Sequence, residues 1–211
     1  RARATAEAAR ALGIRVVFAP VADVNNDPAN PVINVRSFGE EPEAVGRFVA
    51  ATVMGLQEGG VLACLKHFPG HGDTAVDSHR SLPVLSVDRA RLDSVELVPF
   101  RAGLAAGARG VMTGHLAVPA LDPAPAPVLE NPTRTHDFTE EVREVVTKGT
   151  LPAVVSRAMT TGLLREELGF SGLVFTDSMS MGGVVAHFET GEAAVRVLEA
   201  GGDVVLMPPA P

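Results

Sequence analysis

Tryptophan and tyrosine are absent from this 211-residue chain, and cysteine occurs once, at position 64. Any stacking aromatic side chain must therefore come from its nine phenylalanines. A lone cysteine cannot close an internal disulfide, and Cys64, inside the apolar run VLACLKHF, reads as a buried strand residue rather than a nucleophile. There is no run of lysine or arginine, and the formal net charge is −7. A nucleic-acid surface, which needs a basic stripe to displace counterions, is thus not expected. No apolar run reaches the roughly eighteen residues of a membrane span. No signal peptide is recognisable. Residue 1 is arginine and the chain opens inside a helical pattern, so a start further upstream is expected and the compartment is left unspecified.

What is present looks globular: 46% hydrophobic and 20% charged residues, long enough to bury a core without a metal or disulfide staple. Helical patterns at 4–14, 41–57, 88–107, 159–168 and 191–202 alternate with apolar, strand-length runs at 15–24, 61–68, 110–118, 172–179 and 203–209. Near-continuous apolar strands with a helix between each pair predict a parallel α/β sheet buried on both faces. Polar residues gather just past the strand ends: Asp23, Lys66 with His67, His115, and Asp177. That edge carries the site in parallel α/β folds, above all in a (β/α)8 barrel. Five strands cannot close such a barrel. The alternatives are an open sheet or the C-terminal part of a TIM-like barrel whose first strands lie elsewhere. Residues 122–157 break the rhythm and read as a surface insertion, with a helix expected over 138–149.

The densest chemistry is KHFPGHGDTAVDSH, residues 66–79. His67, His71, Asp73, Asp77 and His79 are all metal-ligand types, but their spacing matches no familiar zinc pattern and the glycines and proline suggest a mobile loop. A metal is therefore not favoured. The proton-transfer alternative rests on Asp77 and His79, two residues apart. A turn can set that carboxylate against one imidazole nitrogen and leave the other as general acid and base. The plain alternative is Asp77 capping the loop backbone and His79 facing solvent. Asp177, directly after a strand, can serve as nucleophile, electrostatic stabiliser or metal ligand, or can simply cap the next helix. Arg36 can clamp an anionic or hydroxyl-rich ligand, or be an ordinary surface arginine.

Taken together, FAPVADV, NPVINVRSFGE, KHFPGHGDTAVDSH and LREELGFSGLVFTDSMSMGG resemble glycoside hydrolase family 3, and within it the NagZ-type bacterial β-N-acetylhexosaminidases. The resemblance covers about 10–122 and 158–209. It implies a TIM-like (β/α)8 barrel, of which about five β/α units are in this chain, and retaining cleavage of terminal β-linked N-acetylglucosamine. Asp177 falls on the family's nucleophile, and His79 on its general acid/base, assisted by Asp77. Arg36, Lys66 and His67 fall on ligands of sugar hydroxyls. The implied partner is a small carbohydrate, with no cofactor. The family's early Asp-rich sugar-binding segment has no match here, and the 122–157 segment exceeds the family's usual connection. Rival readings are a metal-dependent hydrolase on an α/β barrel, a non-catalytic sugar-binding fragment and, within the family, a β-glucosidase.

Overall fold

The computed structural model describes residues 1–74, 76–78, 82–127, 129 and 150–209. Four strands form one parallel sheet in the order β1-β2-β3-β4: β1 Val16–Val17, β2 Leu62–Phe68, β3 Gly110–Thr113 and β4 Leu173–Thr176. Each strand pairs with the next in sequence, and right-handed crossovers then put the intervening helices on one face only. A doubly wound sheet must reverse its strand order to cover both faces. This sheet never reverses, so it curls as part of a TIM-like barrel, which decides between the two arrangements left open by the sequence.

The helices follow the expected pattern, with local departures. Helix α1, Ala2–Ala11, and helix α2, Pro42–Glu58, lie where the sequence places them, Pro42 filling a first-turn position that needs no N–H. Asp88 caps the next helix, accepting from Arg91 N. That helix runs through a π-helical stretch, Leu92–Glu96, before Leu97–Ala105. The wide turn comes just before Pro99, whose ring crowds the carbonyl of Val95 and offers it no N–H. The helix expected at 159–168 is also π-helical, Ala158–Glu167, in a stretch where Thr160, Thr161 and Gly162 are poor α-formers. The last helix, Thr190–Ala200, stops at Gly201, whose φ of 103° suits glycine.

The strands are shorter than expected. The run over 15–24 pairs regularly only at Val16 and Val17 because Pro20 cannot donate to a ladder. Pairing then resumes irregularly, with Ala22 N donating to Lys66 O at 2.6 Å. The run at 203–209 joins β4 through a single parallel bridge, Phe175 to Val204. The expected 122–157 excursion is described only at its ends, where Pro125 pairs with Thr150 and Ala117 with Pro152. The helix expected over 138–149 lies outside the described residues.

Two apolar layers flank the sheet. Outside, Ala63, Leu65, Val111 and Val174 pack with helix residues such as Val49, Val53 and Phe100. Inside, Cys64, Met112 and Phe175 meet Val16, Leu62 and Val204. Among the described residues no helix is long and apolar enough to cross a membrane.

Candidate active site

Side chains alternate faces along a strand. Cys64 and Phe175 point inward, so Lys66 and Asp177, two residues further on, reach the inner face at the C-terminal rim. A register irregularity between Leu65 and Phe68 interrupts the alternation, and His67 joins Lys66 on the same cavity. That cavity, of about 410 Å³, is lined by Arg36, Lys66, His67, His71 and Asp177, with Phe18 beside them. Two larger cavities, of about 580 and 640 Å³, lie at the opposite strand ends beside Ser171 and Gly172. The smaller one occupies the rim where parallel strands present their chemistry.

His67 stands between two carboxylates. Its Nδ1 is 2.8 Å from Asp23 Oδ2 and its Nε2 is 3.9 Å from Asp177 Oδ2. Asp23 is fully buried and also accepts the backbone N–H groups of His67, at 3.1 Å, and His71, at 2.8 Å. Burial alone would raise its carboxyl, but the attraction and hydrogen bond of His67, helped by His71, hold it below the ordinary carboxylate range. Asp177 behaves likewise. Burial raises it, yet His67, His115, the Ser178 N–H and Lys66 together bring it below the usual value. The Lys66 ammonium is pushed down by burial and by Arg36, against the opposing pull of Asp177.

The loop carrying Asp177 is fixed from two sides. His115, fully buried, donates from Nε2 to Ser178 O at 2.7 Å, and Asp177 N donates to Thr113 O at 3.0 Å. Ser178 N donates back to Asp177 Oδ1 at 2.7 Å.

The loop after β2, expected to be mobile, is pinned over its first part. Pro69 through Gly72 and Thr74 are buried. Asn30 reaches in from the NNDPANP loop, donating to His71 O at 2.8 Å and accepting from Val32 N and Ile33 N at 2.9 and 2.8 Å. Gly72 lies so close to the backbone that an added Cβ would sit 1.7 Å from Val24 O. Asp73 pairs with Arg91 at 3.1 Å, which ties the loop to the helix behind it.

Of the residues singled out in the sequence, Arg36, Lys66, His67 and Asp177 thus border one cavity. Arg36 is exposed at its edge and donates to Val32 O at 3.1 Å. Asp77 is half-buried, and its neighbour Ser78 lines the cavity. His79 lies outside the described residues. Among the described residues, no group of three or more His, Cys, Asp or Glu side chains is arranged to hold a metal ion. Asp23, Asn30, His71, Asp73 and His115 have structural roles that the sequence alone does not assign. For Asp23 a signal existed, an acidic residue ending an apolar run, while Asn30 looks like any other asparagine of a polar loop.

A parallel half-barrel with a carboxylate, a histidine and two cations at its C-terminal rim has the layout of a (β/α)8-barrel enzyme site. The chain belongs to the glycosyl hydrolase family 3 N-terminal domain family, whose model matches residues 1–211. It is 42% identical over 198 residues to the beta-hexosaminidase A of Pseudoalteromonas piscicida, a match covering 93% of this chain and 31% of that protein. It is 36% identical to the beta-N-acetylglucosaminidase/beta-glucosidase of Cellulomonas fimi, covering 94% of this chain and 32% of that one. Among solved structures, a family 3 beta-N-acetylglucosaminidase from Paenibacillus sp. str. FPU-7 superposes with a TM-score of 0.83 at 42% identity. That match covers 97% of this chain and 34% of the other. The chain thus spans about a third of the length of each of these proteins.

Proposed function

We propose that this chain forms the catalytic barrel portion of a retaining glycoside hydrolase that removes terminal β-linked N-acetylglucosamine. The observation that carries this reading is Asp177, held ionised beside His67, Lys66 and Arg36 in one cavity. A carboxylate kept in its charged form at a cationic, partly enclosed rim suits attack on an anomeric carbon. The cavity's size, about 410 Å³, falls among small-ligand sites, which run from about 300 to 1,000 Å³.

In the proposed reaction the sugar seats its hydroxyls against Arg36, Lys66 and His67. Asp177 attacks C1 while the bond from C1 to the departing oxygen breaks, and that oxygen takes a proton from His79. The result is a glycosyl ester on Asp177. His79, now basic and assisted by Asp77, takes a proton from water. The water attacks C1 and releases the sugar and the Asp177 carboxylate. Most retaining glycosidases use two carboxylates about 5–5.5 Å apart and must raise one of them to act as acid. A histidine titrates near neutrality without such tuning. Residues 122–157 are proposed as a surface insertion on this barrel.

The names of the relatives, hexosaminidase and N-acetylglucosaminidase, support the substrate class. The Cellulomonas fimi relative also carries the name beta-glucosidase, which keeps a β-glucoside as the second reading. In the full-length protein, Asp177→Asn should abolish cleavage of an aryl β-N-acetylglucosaminide, losing about 10³-fold or more in kcat. Peptide mass mapping of the wild type quenched with a slow substrate should show one added N-acetylhexosamine on the peptide holding Asp177. Near-wild-type turnover by the variant would disprove the nucleophile assignment.

A further inference from the structure

We propose that Asp23 is a positioning residue for the reaction: its carboxylate fixes the His67 ring with the hydrogen on Nδ1, leaving Nε2 to face Asp177 and the cavity.

Three nitrogens converge on one buried carboxylate. Asp23 Oδ1 accepts from His67 N and from His71 N, at 3.1 and 2.8 Å, while Oδ2 faces His67 Nδ1 at 2.8 Å. An ionised carboxylate only accepts, so the nitrogen against it carries the hydrogen. The opposite nitrogen, Nε2, then points to Asp177 Oδ2, 3.9 Å away. A fully buried charge is costly unless it is paired and hydrogen-bonded. Tying down the N–H groups of His67, in β2, and His71, in the loop, does not need that charge, because an asparagine amide oxygen accepts both. What only the carboxylate supplies is a pure acceptor against Nδ1, which sets the tautomer and the angle of the ring. One side chain therefore links the end of the β1 run, the end of β2 and the start of the loop that follows, and aims His67 at the reacting side of the cavity.

Asparagine is the informative replacement. Its Oδ1 can keep both backbone N–H groups, whereas its Nδ2 donates to Nδ1 and so favours the opposite tautomer, with the hydrogen on Nε2. The first readout is the nitrogen NMR spectrum of ¹⁵N-histidine-labelled full-length protein, titrated to the neutral ring, with the His67 signals assigned by their loss in His67→Asn. The wild type should show Nδ1 protonated, and Asp23→Asn should show Nε2 protonated with the thermal midpoint largely kept. The second readout rests on the glycosidase reading: kcat/KM on an aryl β-N-acetylglucosaminide should fall about 10- to 100-fold in Asp23→Asn, as when an orienting partner of a functional histidine is lost.

A wild-type ring protonated at Nε2 overturns the proposal, and that measurement stands even if the variant does not fold. A folded Asp23→Asn protein of unchanged kcat/KM overturns it as well. The tautomer needs no substrate, so a wild-type protein inactive on hexosaminides would count against the proposed function while leaving Asp23 to be decided by the spectrum.

Discussion

His67 Nε2 lies 3.9 Å from Asp177 Oδ2, near enough to govern the charge of that carboxylate and too far for a direct hydrogen bond. Burial pushes Asp177 up, and His67 is the largest of the influences that bring it below the ordinary carboxylate range. The charged form is therefore favoured on folding. Its contribution to stability is present above the unfolded value, near 3.9, and is lost as pH falls through the lower folded value. Replacing His67 with asparagine removes Nε2 while leaving an amide near Asp23. The acid limb of kcat/KM should then move to higher pH, and the loss at the optimum should be about 10- to 100-fold. A pH–rate profile on an aryl substrate checks this. An acid limb that stays in place would mean that His67 does not set the charge of Asp177.

A second prediction concerns His71, which is buried with Nδ1 2.7 Å from Thr74 Oγ1 and Nε2 without a hydrogen-bond partner among the described residues. Burial pushes the ring down to about 4, more strongly than Asp23 and Asp177 pull it up, while His67 adds to the downward push. A depressed value means that the folded state resists the proton the unfolded chain accepts. Stability is thus full above about 6.5 and falls as pH drops toward about 4, by up to about 3 kcal/mol from this one group. Urea unfolding at several pH values in that window should show a flatter profile for His71→Gln than for the wild type. Parallel profiles would contradict a neutral buried ring.

The order of helices and strands was legible in the sequence because apolar runs and amphipathic stretches alternate without ambiguity. Strand length was less legible: the run over 15–24 looks continuous, but Pro20 removes a ladder donor and only Val16 and Val17 pair regularly with β2. The rim residues Lys66, His67 and Asp177 stood out because each ends an apolar run. Asn30 did not, because its role depends on carbonyls at His71 and Gly72, more than forty positions along the chain. The first part of the loop after β2, residues 69–74, is fixed where the sequence suggests mobility, for a related reason. Glycine and proline signal local freedom, but Gly70 and Gly72 are there because of close packing, against Glu96 and Val24 respectively. Long-range contact is invisible to a local pattern.

That packing makes Gly72→Ala a sharp test. The new Cβ would meet a main-chain oxygen, Val24 O, at 1.7 Å, and backbone cannot swing aside as a long side chain can. Either the 69–74 loop or the segment around Val24 must shift, at a cost of about 1–3 kcal/mol. Because Val24 follows Asp23 and Gly72 follows His71, the shift should also disturb the Asp23–His71 contact of 2.8 Å. A lower thermal midpoint together with reduced kcat/KM is expected. Gly191→Ala, where no described residue outside the helix lies within 4 Å of the added Cβ, should leave both nearly unchanged and serves as the control.

The last prediction addresses the proton donor. If His79 protonates the departing oxygen, its importance must scale with how much the leaving group needs a proton. An aryl leaving group of low pKa departs as a stable anion, whereas a sugar hydroxyl cannot. His79→Ala should therefore slow cleavage of an N-acetylglucosamine disaccharide by about 10²- to 10⁴-fold, with a much smaller loss in the glycosylation step on an activated aryl glycoside. For the aryl substrate, release from Asp177 should become rate-limiting, since the same imidazole activates water, and a burst of the aryl product should precede the steady state. If Asp77 stabilises the imidazolium as proposed, Asp77→Asn should move in the same direction by a smaller factor. Equal losses on both substrates, with no burst, would take the general-acid role away from His79.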